Sequence, residues 1–267
     1  MSSYDDSIEK HYNQVAATDG PSPHSTMADE ITRQIESDTI LDFVSAVART
    51  SIGQTIQLVD VGCGNGYTLS LLAGHRARLE LTGIEANAAL RAITASRFNP
   101  AEVTVVPGDI RQPHFHGKQF FDVLICQRVI VNLLDRADQK TALDNIIAAV
   151  RPGGALIFVE AFTSGLDQLN AARSEFDLAP LQPAHHNLYL PDDFFEHPEL
   201  SAFRNEGWTV SPTALSSHYF VSRVLHAAVI GTRPLKRNSE FVKFLTAALP
   251  PAIGNYSPLR IHAFTRS

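Results

Sequence analysis

Val59-Asp60-Val61-Gly62-Cys63-Gly64-Asn65-Gly66-Tyr67 joins an apolar run that ends at Val61 to a segment with helical periodicity. The run Ile56–Val61 reads as a strand covered on both faces. Glycines at alternate positions permit a tight turn and let a ligand lie against bare backbone. Their G-x-G-x-G spacing is not the G-x-G-x-x-G of a dinucleotide site, and Tyr67-Thr68 stands where a phosphate-binding loop needs Lys followed by Ser or Thr. Asp60, just before the glycines, would repel a pyrophosphate and suits a cationic amino group. Glu85, in Gly83-Ile84-Glu85-Ala86-Asn87, ends the next strand, where a carboxylate is placed to accept both hydroxyls of a ribose. The ligand implied is a nucleoside with ribose hydroxyls, an ammonium group and no phosphate.

Outward from this loop the chain alternates short apolar runs with helical periods. Strands are expected at Ile56–Val61, Leu79–Ile84, Val103–Val106, Phe121–Cys126 and Ala155–Glu160, with helices near 66–74, 87–97 and 137–150. A preceding helix begins near Met27, its apolar positions Ile31, Ile35, Leu41, Val44 and Val47 recurring at three- and four-residue intervals. Such alternation implies an α/β, Rossmann-like sheet with right-handed crossovers, whose ligands gather beyond the C-terminal strand ends. After Glu160 the rhythm breaks. A helix at 166–176, an irregular Pro- and His-containing stretch, a strand near Trp208–Leu215, helices at 218–230 and 238–248, and a last strand at Leu259–Thr265 are expected. The reading is one domain of 1–267. Residues 1–50 are an N-terminal lid and helix and 51–160 a cofactor-binding core. Residues 161–230 are an insertion and cap on the acceptor side, and 231–267 a C-terminal helix with an antiparallel final strand.

The chain has 267 residues, enough for one sizeable core, and 28 acids against 22 Lys and Arg. That balance lacks the positive groove of a nucleic-acid partner. Two cysteines, Cys63 and Cys126, offer no zinc set and suit a reducing, cytoplasmic setting. No apolar stretch approaches the ~20 residues of a membrane span, and MSSYDDSIEK shows no export signal.

The ordered set resembles the class I S-adenosylmethionine-dependent methyltransferases. It comprises Val59–Gly66, Glu85, Gly108-Asp109-Ile110, Phe121–Cys126, and Leu133-Leu134 through Arg151-Pro152-Gly153-Gly154. The resemblance spans about residues 27–160. It implies S-adenosyl-L-methionine as cofactor, with Gly62, Gly64 and Gly66 beside its methionine part, Asp60 next to them and Glu85 on the ribose. It further implies Asp109 accepting from the adenine amino group, Ile110 against the ring, Gln127 and Arg128 near the sulfonium, and Arg33 toward the cofactor carboxylate. Residues 161–230 are similar, more loosely, to bacterial methyltransferases of small-molecule or glycan type, through Arg128–Leu134 with Asn132, His186-Asn187-Leu188-Tyr189 and Tyr219–Leu225.

The expected reaction is methyl transfer to a small molecule or glycan-type metabolite, favouring oxygen. An oxygen acceptor needs a proton removed, and His186 is the base candidate, either in that role or packing a loop. Arg128, Arg173 and Arg223 would favour an anionic acceptor if two of them converged. The alternative for Arg128 is a salt bridge to an acid such as Glu160. Tyr12, Met27, Tyr189 and Tyr219 complete the acceptor-side candidates, with Tyr4 and His24 also in the N-terminal segment; Tyr12 is either an exposed arm residue or a substrate contact. Phe194-Phe195 and Phe241–Leu245 read as core. No metal is expected, because the His185-His186 pair has no carboxylate at ligand spacing. A homodimer is compatible with the sequence. The rival readings are an N- or S-methyltransferase of a small amino acid or amine, a nucleic-acid methyltransferase, an aminopropyl transferase, and a noncatalytic binder of the same cofactor.

Overall fold

A computed structural model describes residues 4–22, 25, 27–51, 53–117 and 120–267; His24 lies outside them. Seven strands form one sheet in the order β3-β2-β1-β4-β5-β7-β6. They are β1 (Ile56–Val61), β2 (Leu79–Ile84), β3 (Val103–Val106), β4 (Phe121–Gln127), β5 (Val150–Ala161), β6 (Leu200–Ala202) and β7 (Leu259–Arg266). The first five run parallel, β7 pairs antiparallel with β5, and β6 antiparallel with β7. The chain leaves β1 for β2 on one side and returns to β4 on the other. This reversal opens a crevice beyond the C-terminal end of β1, which is where the glycine loop lies.

Strand residues alternate between two cores. Val59, Val61, Leu124, Cys126, Leu156 and Phe158 face α5 (Arg136–Ala149) and α6 (Thr163–Ser174). Leu58, Val123, Ile125, Ile157 and Val159 face Ile40, Phe43 and Val44 of α2 (Glu30–Thr50) and Leu69 and Leu72 of α3 (Tyr67–Ala73). Each fully buried Leu, Ile, Val or Phe stabilises the fold by about 1.5–3 kcal/mol, so both faces of the parallel strands must be apolar.

Short polar side chains set the helix starts by accepting from backbone N–H groups that have no partner within the helix. Asp29 accepts from the Thr32 N–H at 3.1 Å and so starts α2. Asn87 accepts from Leu90 at 3.0 Å, opening α4 (Ala88–Arg97). Asp135 accepts from Ala137 and Asp138 at 2.8 and 3.1 Å, opening α5.

Two expectations are corrected and one element is added. The N-terminal lid segment carries a helix that the sequence reading did not place, α1 (Asp5–Thr18). Tyr4, Ile8, His11, Tyr12 and Val15 fall along one side of it at three- and four-residue spacing, and these residues line the main cavity. No strand forms at Trp208–Leu215; the edge strand is β6. The Trp208 ring instead packs on Phe43 and Phe203, with ring centroids 5.4 Å from both. Phe241 and Phe244, on α9 (Glu240–Ala248), are exposed rather than core, whereas Phe194 and Phe195 are buried as expected. Between β6 and α9 lies one continuous helical rod, α7 (Ser216–Phe220), a π turn (Val221–Leu225) and α8 (His226–Ile230).

Candidate active site

The glycine loop adopts a conformation that side chains resist. Gly62, Gly64 and Gly66 have φ of +66°, +56° and +77°. A Cβ on Gly62 would stand 2.4 Å from Val129 Cγ2, and one on Gly66 2.8 Å from Thr94 Cγ2. The loop is fastened to the end of β2, where Ile84 O accepts from the Gly62 N–H at 2.7 Å and the Cys63 N–H at 3.1 Å. Glu85 is buried beside it, one oxygen accepting from Gly64 N–H at 2.9 Å and the other from Asn87 N–H at 2.7 Å. Burial raises the Glu85 carboxyl above its ordinary range against these bonds. Asp60 is buried as well, and burial followed by the neighbouring Glu85 charge pushes it up to about 8, with Arg128 opposing. Two buried acids converge on bare backbone, an arrangement that favours a cation and hydroxyl donors.

These residues line one end of a cavity of about 1420 Å³. Pockets for a single small ligand are typically ~300–1,000 Å³, so this one has room for a nucleoside-sized molecule and a second ligand. Asp109 and Ile110, after β3, flank the same end. Asp109 is held by Arg111, whose Nη2 is 2.6 Å from Asp109 Oδ2. Burial opposes the Asp109 charge, but Arg111 keeps the carboxyl below its ordinary range. Arg33 lines the cavity from α2, with its Nη2 donating to Met27 O at 2.9 Å and its guanidinium 4.6 Å from the Tyr67 ring centre.

Past β4, Gln127 and Arg128 turn toward a residue that no sequence motif marks. Glu36 of α2 is fully buried; Gln127 Nε2 donates to its Oε2 at 2.8 Å, and Arg128 Nη1 pairs with the same oxygen. Arg128 sits at φ +57°, a strained position for a residue with a side chain. The partner is therefore Glu36, not Glu160. Glu160 instead accepts from the backbone N–H groups of Val129, Ile130 and Val131 at 2.9, 3.0 and 3.2 Å, and burial raises it to about 7. It fixes the turn that aims Arg128. Glu36 falls on the same buried stripe of α2 as Arg33 and Ile40, and that spacing was the available signal.

The other end of the cavity is walled by Tyr12, Asn132, His186, Tyr189, Tyr219 and Arg223. Tyr12 is half-buried and lines the cavity. The loop carrying His186 is pinned by Leu188 N–H donating to Val131 O at 2.7 Å and by Gln139 Nε2 donating to Leu188 O at 2.8 Å. His186 stacks on His11 of α1, ring centres 3.8 Å apart at 21°. Burial, then His11 and His185, lowers it to about 4. Burial, then Tyr219, raises the Tyr189 phenol to about 12.

Arg173 and Arg223 part company. Arg173 Nε and Nη2 donate to Ala179 O at 2.9 and 2.7 Å, and Nη1 to Arg223 O, so it braces backbone and does not line the cavity. Its assignment to acceptor binding is withdrawn. Arg223 lies in the π turn with its guanidinium 3.6 Å from the Tyr219 ring centre, and its Nη2 donates to Asp29 Oδ2 at 2.8 Å. His218 Nε2 also meets Asp29, at 2.9 Å. Burial works against the Asp29 charge, but His218 and Arg223 hold its carboxyl below the ordinary range. Cys63 and Cys126 are free, buried thiols that burial pushes up.

Helix α1 closes the cavity from above. Asn65 Nδ2 donates to Gly20 O and Ser22 O at 3.2 and 2.8 Å, and Asn87 Nδ2 to Asn13 Oδ1 at 2.8 Å. No helix among the described residues is long and apolar enough to cross a membrane.

The sheet order, the glycine turn after β1 and the acid after β2 define a Rossmann-like methyltransferase fold. Magnesium protoporphyrin IX methyltransferase from Synechocystis PCC 6803, solved with bound S-adenosylhomocysteine, superposes with a TM-score of 0.56 over 99% of this chain and 96% of that one, at 13% identity. Residues 58–154 match the family described as methyltransferase domain. The chain is 32% identical to nodulation protein S of Rhizobium tropici over 110 residues, 41% of this chain and 44% of that protein. It is 29% identical to nodulation protein S of Sinorhizobium fredii over 112 residues, 42% of this chain and 50% of that protein. It thus spans about half the length of the curated relatives it matches. Residues 58–154 are thus similar to methyltransferase domains, within a Rossmann-like fold of the class I, S-adenosylmethionine-dependent type.

Proposed function

We propose that this protein transfers a methyl group from S-adenosyl-L-methionine to an oxygen of a small molecule or glycan-type metabolite. The observation that carries the reading is the convergence of buried Asp60 and Glu85 on a left-handed glycine loop at one end of a cavity large enough for two ligands. Gly62 and Gly64 present bare backbone to the cavity, and the acids match an ammonium and a ribose. The cofactor, when bound, supplies an electrophilic methyl on a sulfonium. Glu85 would accept from the ribose hydroxyls and Asp60 would face the ammonium. Asp109 would take the adenine amino group and Ile110 would pack on the ring. Gln127 and Arg128, held by Glu36, would shape the passage between the two ends, and Arg33 would reach the cofactor carboxylate. Helix α1 would exclude water and strengthen these polar contacts.

On the acceptor side, Tyr12, Tyr189, Tyr219 and Asn132 offer hydrogen bonds to hydroxyl groups, with Met27 supplying apolar contact. Arg128 and Arg223 already face Glu36 and Asp29. The charge of these two arginines is thus already matched, and this favours a neutral, hydroxyl-rich acceptor over an anionic one. His186 would take the acceptor proton: it lines the cavity and is neutral at working pH. The low basicity of His186 also supports a second reading, an amine acceptor, which needs only to be neutral.

Calorimetry with S-adenosylmethionine and S-adenosylhomocysteine tests the first step. Micromolar binding that is lost in Asp60→Ala and Glu85→Ala is expected, and absence of binding by the folded wild type would overturn the reading. With an acceptor in hand, His186→Ala should lower turnover by roughly 100-fold. A fall of less than about tenfold with folding intact points to the amine. Binding without turnover on any hydroxylated or amine acceptor would leave a noncatalytic binder.

A further inference from the structure

The three histidines at the mouth of the cavity come from two parts of the chain that the sequence does not connect. His11 lies on α1, and His185 and His186 lie on the loop after α6. One ring nitrogen from each falls within 4.8 Å of the others. The His185 ring stands edge-on to both neighbours, its centre 5.5 Å from that of His11 and 5.0 Å from that of His186. His186 Nδ1 is buried with no hydrogen-bond partner among the described residues. A buried polar nitrogen without a partner is costly and calls for a ligand. The expectation of no metal weighed His185 and His186 alone; the fold adds the third nitrogen donor.

We propose that His11, His185 and His186 form a binding site for a divalent ion of the zinc type, fastening α1 to the acceptor-side loop. Imidazole nitrogens suit Zn²⁺, Co²⁺ and Ni²⁺. Tetrahedral Zn–N bonds of ~2.0–2.1 Å would set the nitrogens roughly 3.3 Å apart. The His11 and His186 rings stack face to face, so ion binding requires both to turn about their side-chain torsions until their nitrogens converge, and the exposed His185 then swings in to complete the set. Its exposure also gives the ion a path in from solvent. His11 and His186 line the cavity, so the fourth coordination position faces the acceptor end and takes water or an oxygen ligand. An ion held here engages the His186 ring and so withdraws it from proton transfer. It also staples the lid shut. The site stands on geometry that does not require any bound nucleoside.

The test uses the full chain without a polyhistidine tag, titrated with Zn²⁺ by calorimetry and with Co²⁺ by visible absorption. One equivalent should bind with micromolar or tighter affinity, and Co²⁺ should give the intense d–d bands of a four-coordinate site. His11→Ala and His186→Ala should each weaken binding by about tenfold or more, as loss of a ligand requires. His114→Ala, outside the cluster, should not. Limited proteolysis supplies a second readout. Zn²⁺ should slow cleavage of the 19–22 link after α1 in the wild type and leave the rate unchanged in His11→Ala. Absence of stoichiometric binding by the folded wild type, or undiminished binding in both His11→Ala and His186→Ala, would overturn the proposal.

Discussion

Arg111 Nη1 lies 2.7 Å from Asp5 Oδ1, an ion pair that crosses from the loop after β3 to helix α1. The same guanidinium holds Asp109 through Nη2 at 2.6 Å and approaches Asp138 of α5 at 3.7 Å. One cation therefore ties the lid to the acid at the adenine end of the proposed cofactor site. Tyr4 adds a second tie, its hydroxyl donating to Asp138 Oδ2 at 2.5 Å. Opening the lid and exposing Asp109 are coupled through Arg111.

Arg111→Ala should loosen α1 without unfolding the sheet. The pairs are mostly shielded from water and share one guanidinium, so their loss is worth about 1–2 kcal/mol. Limited proteolysis at residues 19–22 should speed up by roughly tenfold, about 1.4 kcal/mol in the opening equilibrium, while the main thermal transition moves little. An unchanged cleavage rate would show that other contacts hold the lid.

Gly62→Ala should destabilise the fold for two separable reasons. The new Cβ meets Val129 Cγ2 at 2.4 Å and Cγ1 at 2.9 Å, and φ of +66° is unfavourable for any side chain. Overpacking costs about 1–3 kcal/mol and the left-handed conformation about 1–2 kcal/mol. Val129→Ala removes both γ carbons but leaves φ as it is. In denaturant titrations the double variant should therefore be more stable than the sum of the single losses predicts, yet still less stable than Val129→Ala alone.

Glu36→Gln should be among the most damaging single changes in α2. It leaves the half-buried Arg128 opposite a neutral amide; stranding one partner of a fully buried pair costs about 3–5 kcal/mol, and solvent reaching Arg128 from the cavity lowers that to about 2–3 kcal/mol. Burial lowers and Glu36 raises the Arg128 guanidinium, with the carboxylate prevailing. Glu36→Gln combined with Arg128→Gln should recover part of that loss in chemical denaturation. Additive losses would mean the two side chains act independently.

What could be read from the sequence follows the range of each interaction. β1, β2 and β3 begin and end where the apolar runs do, because a strand buried on both faces is specified by its own residues. The glycine loop was legible for the same local reason. Helix α1 escaped because its sequence is polar overall, although Tyr4, Ile8, Tyr12 and Val15 carried the helical spacing. The ion pair offered as the alternative for Arg128 forms, but with Glu36 rather than an acid such as Glu160, because the partner lies 92 positions away on α2 and no local pattern reports such a contact. Asp29 and His218 meet across 189 positions and were unforeseen for that reason. His11 could join His185 and His186 only once α1 was folded over the cavity. Arg173 was offered to the acceptor because an arginine on an insertion helix is conspicuous. Its three guanidinium nitrogens instead donate to two backbone carbonyls, Ala179 O in the irregular stretch and Arg223 O in the π turn.

Asp60→Asn should change stability in a pH-dependent way whose direction is fixed. Burial, reinforced by Glu85, raises Asp60 from its ordinary 3.8 to about 8. Between those values the unfolded chain has released the Asp60 proton and the folded chain has kept it. Stability therefore falls as pH rises through that window, and the loss is complete and constant above about 8. An asparagine has no proton to lose. The variant and the wild type should be about equally stable near pH 4, and the variant more stable by about 2 kcal/mol or more at pH 8.5, since each tenfold change in proton affinity between the folded and unfolded chain is worth about 1.4 kcal/mol. Differential scanning fluorimetry across that range reads the difference directly. A ligand that places an ammonium against Asp60 favours the ionised carboxyl and cancels the penalty. Saturating S-adenosylmethionine should accordingly flatten the pH dependence of the wild type and leave the variant almost unmoved. A wild type whose stability does not fall between pH 4 and pH 8.5 would show that Asp60 ionises freely and does not carry the charge-matching role assigned to it.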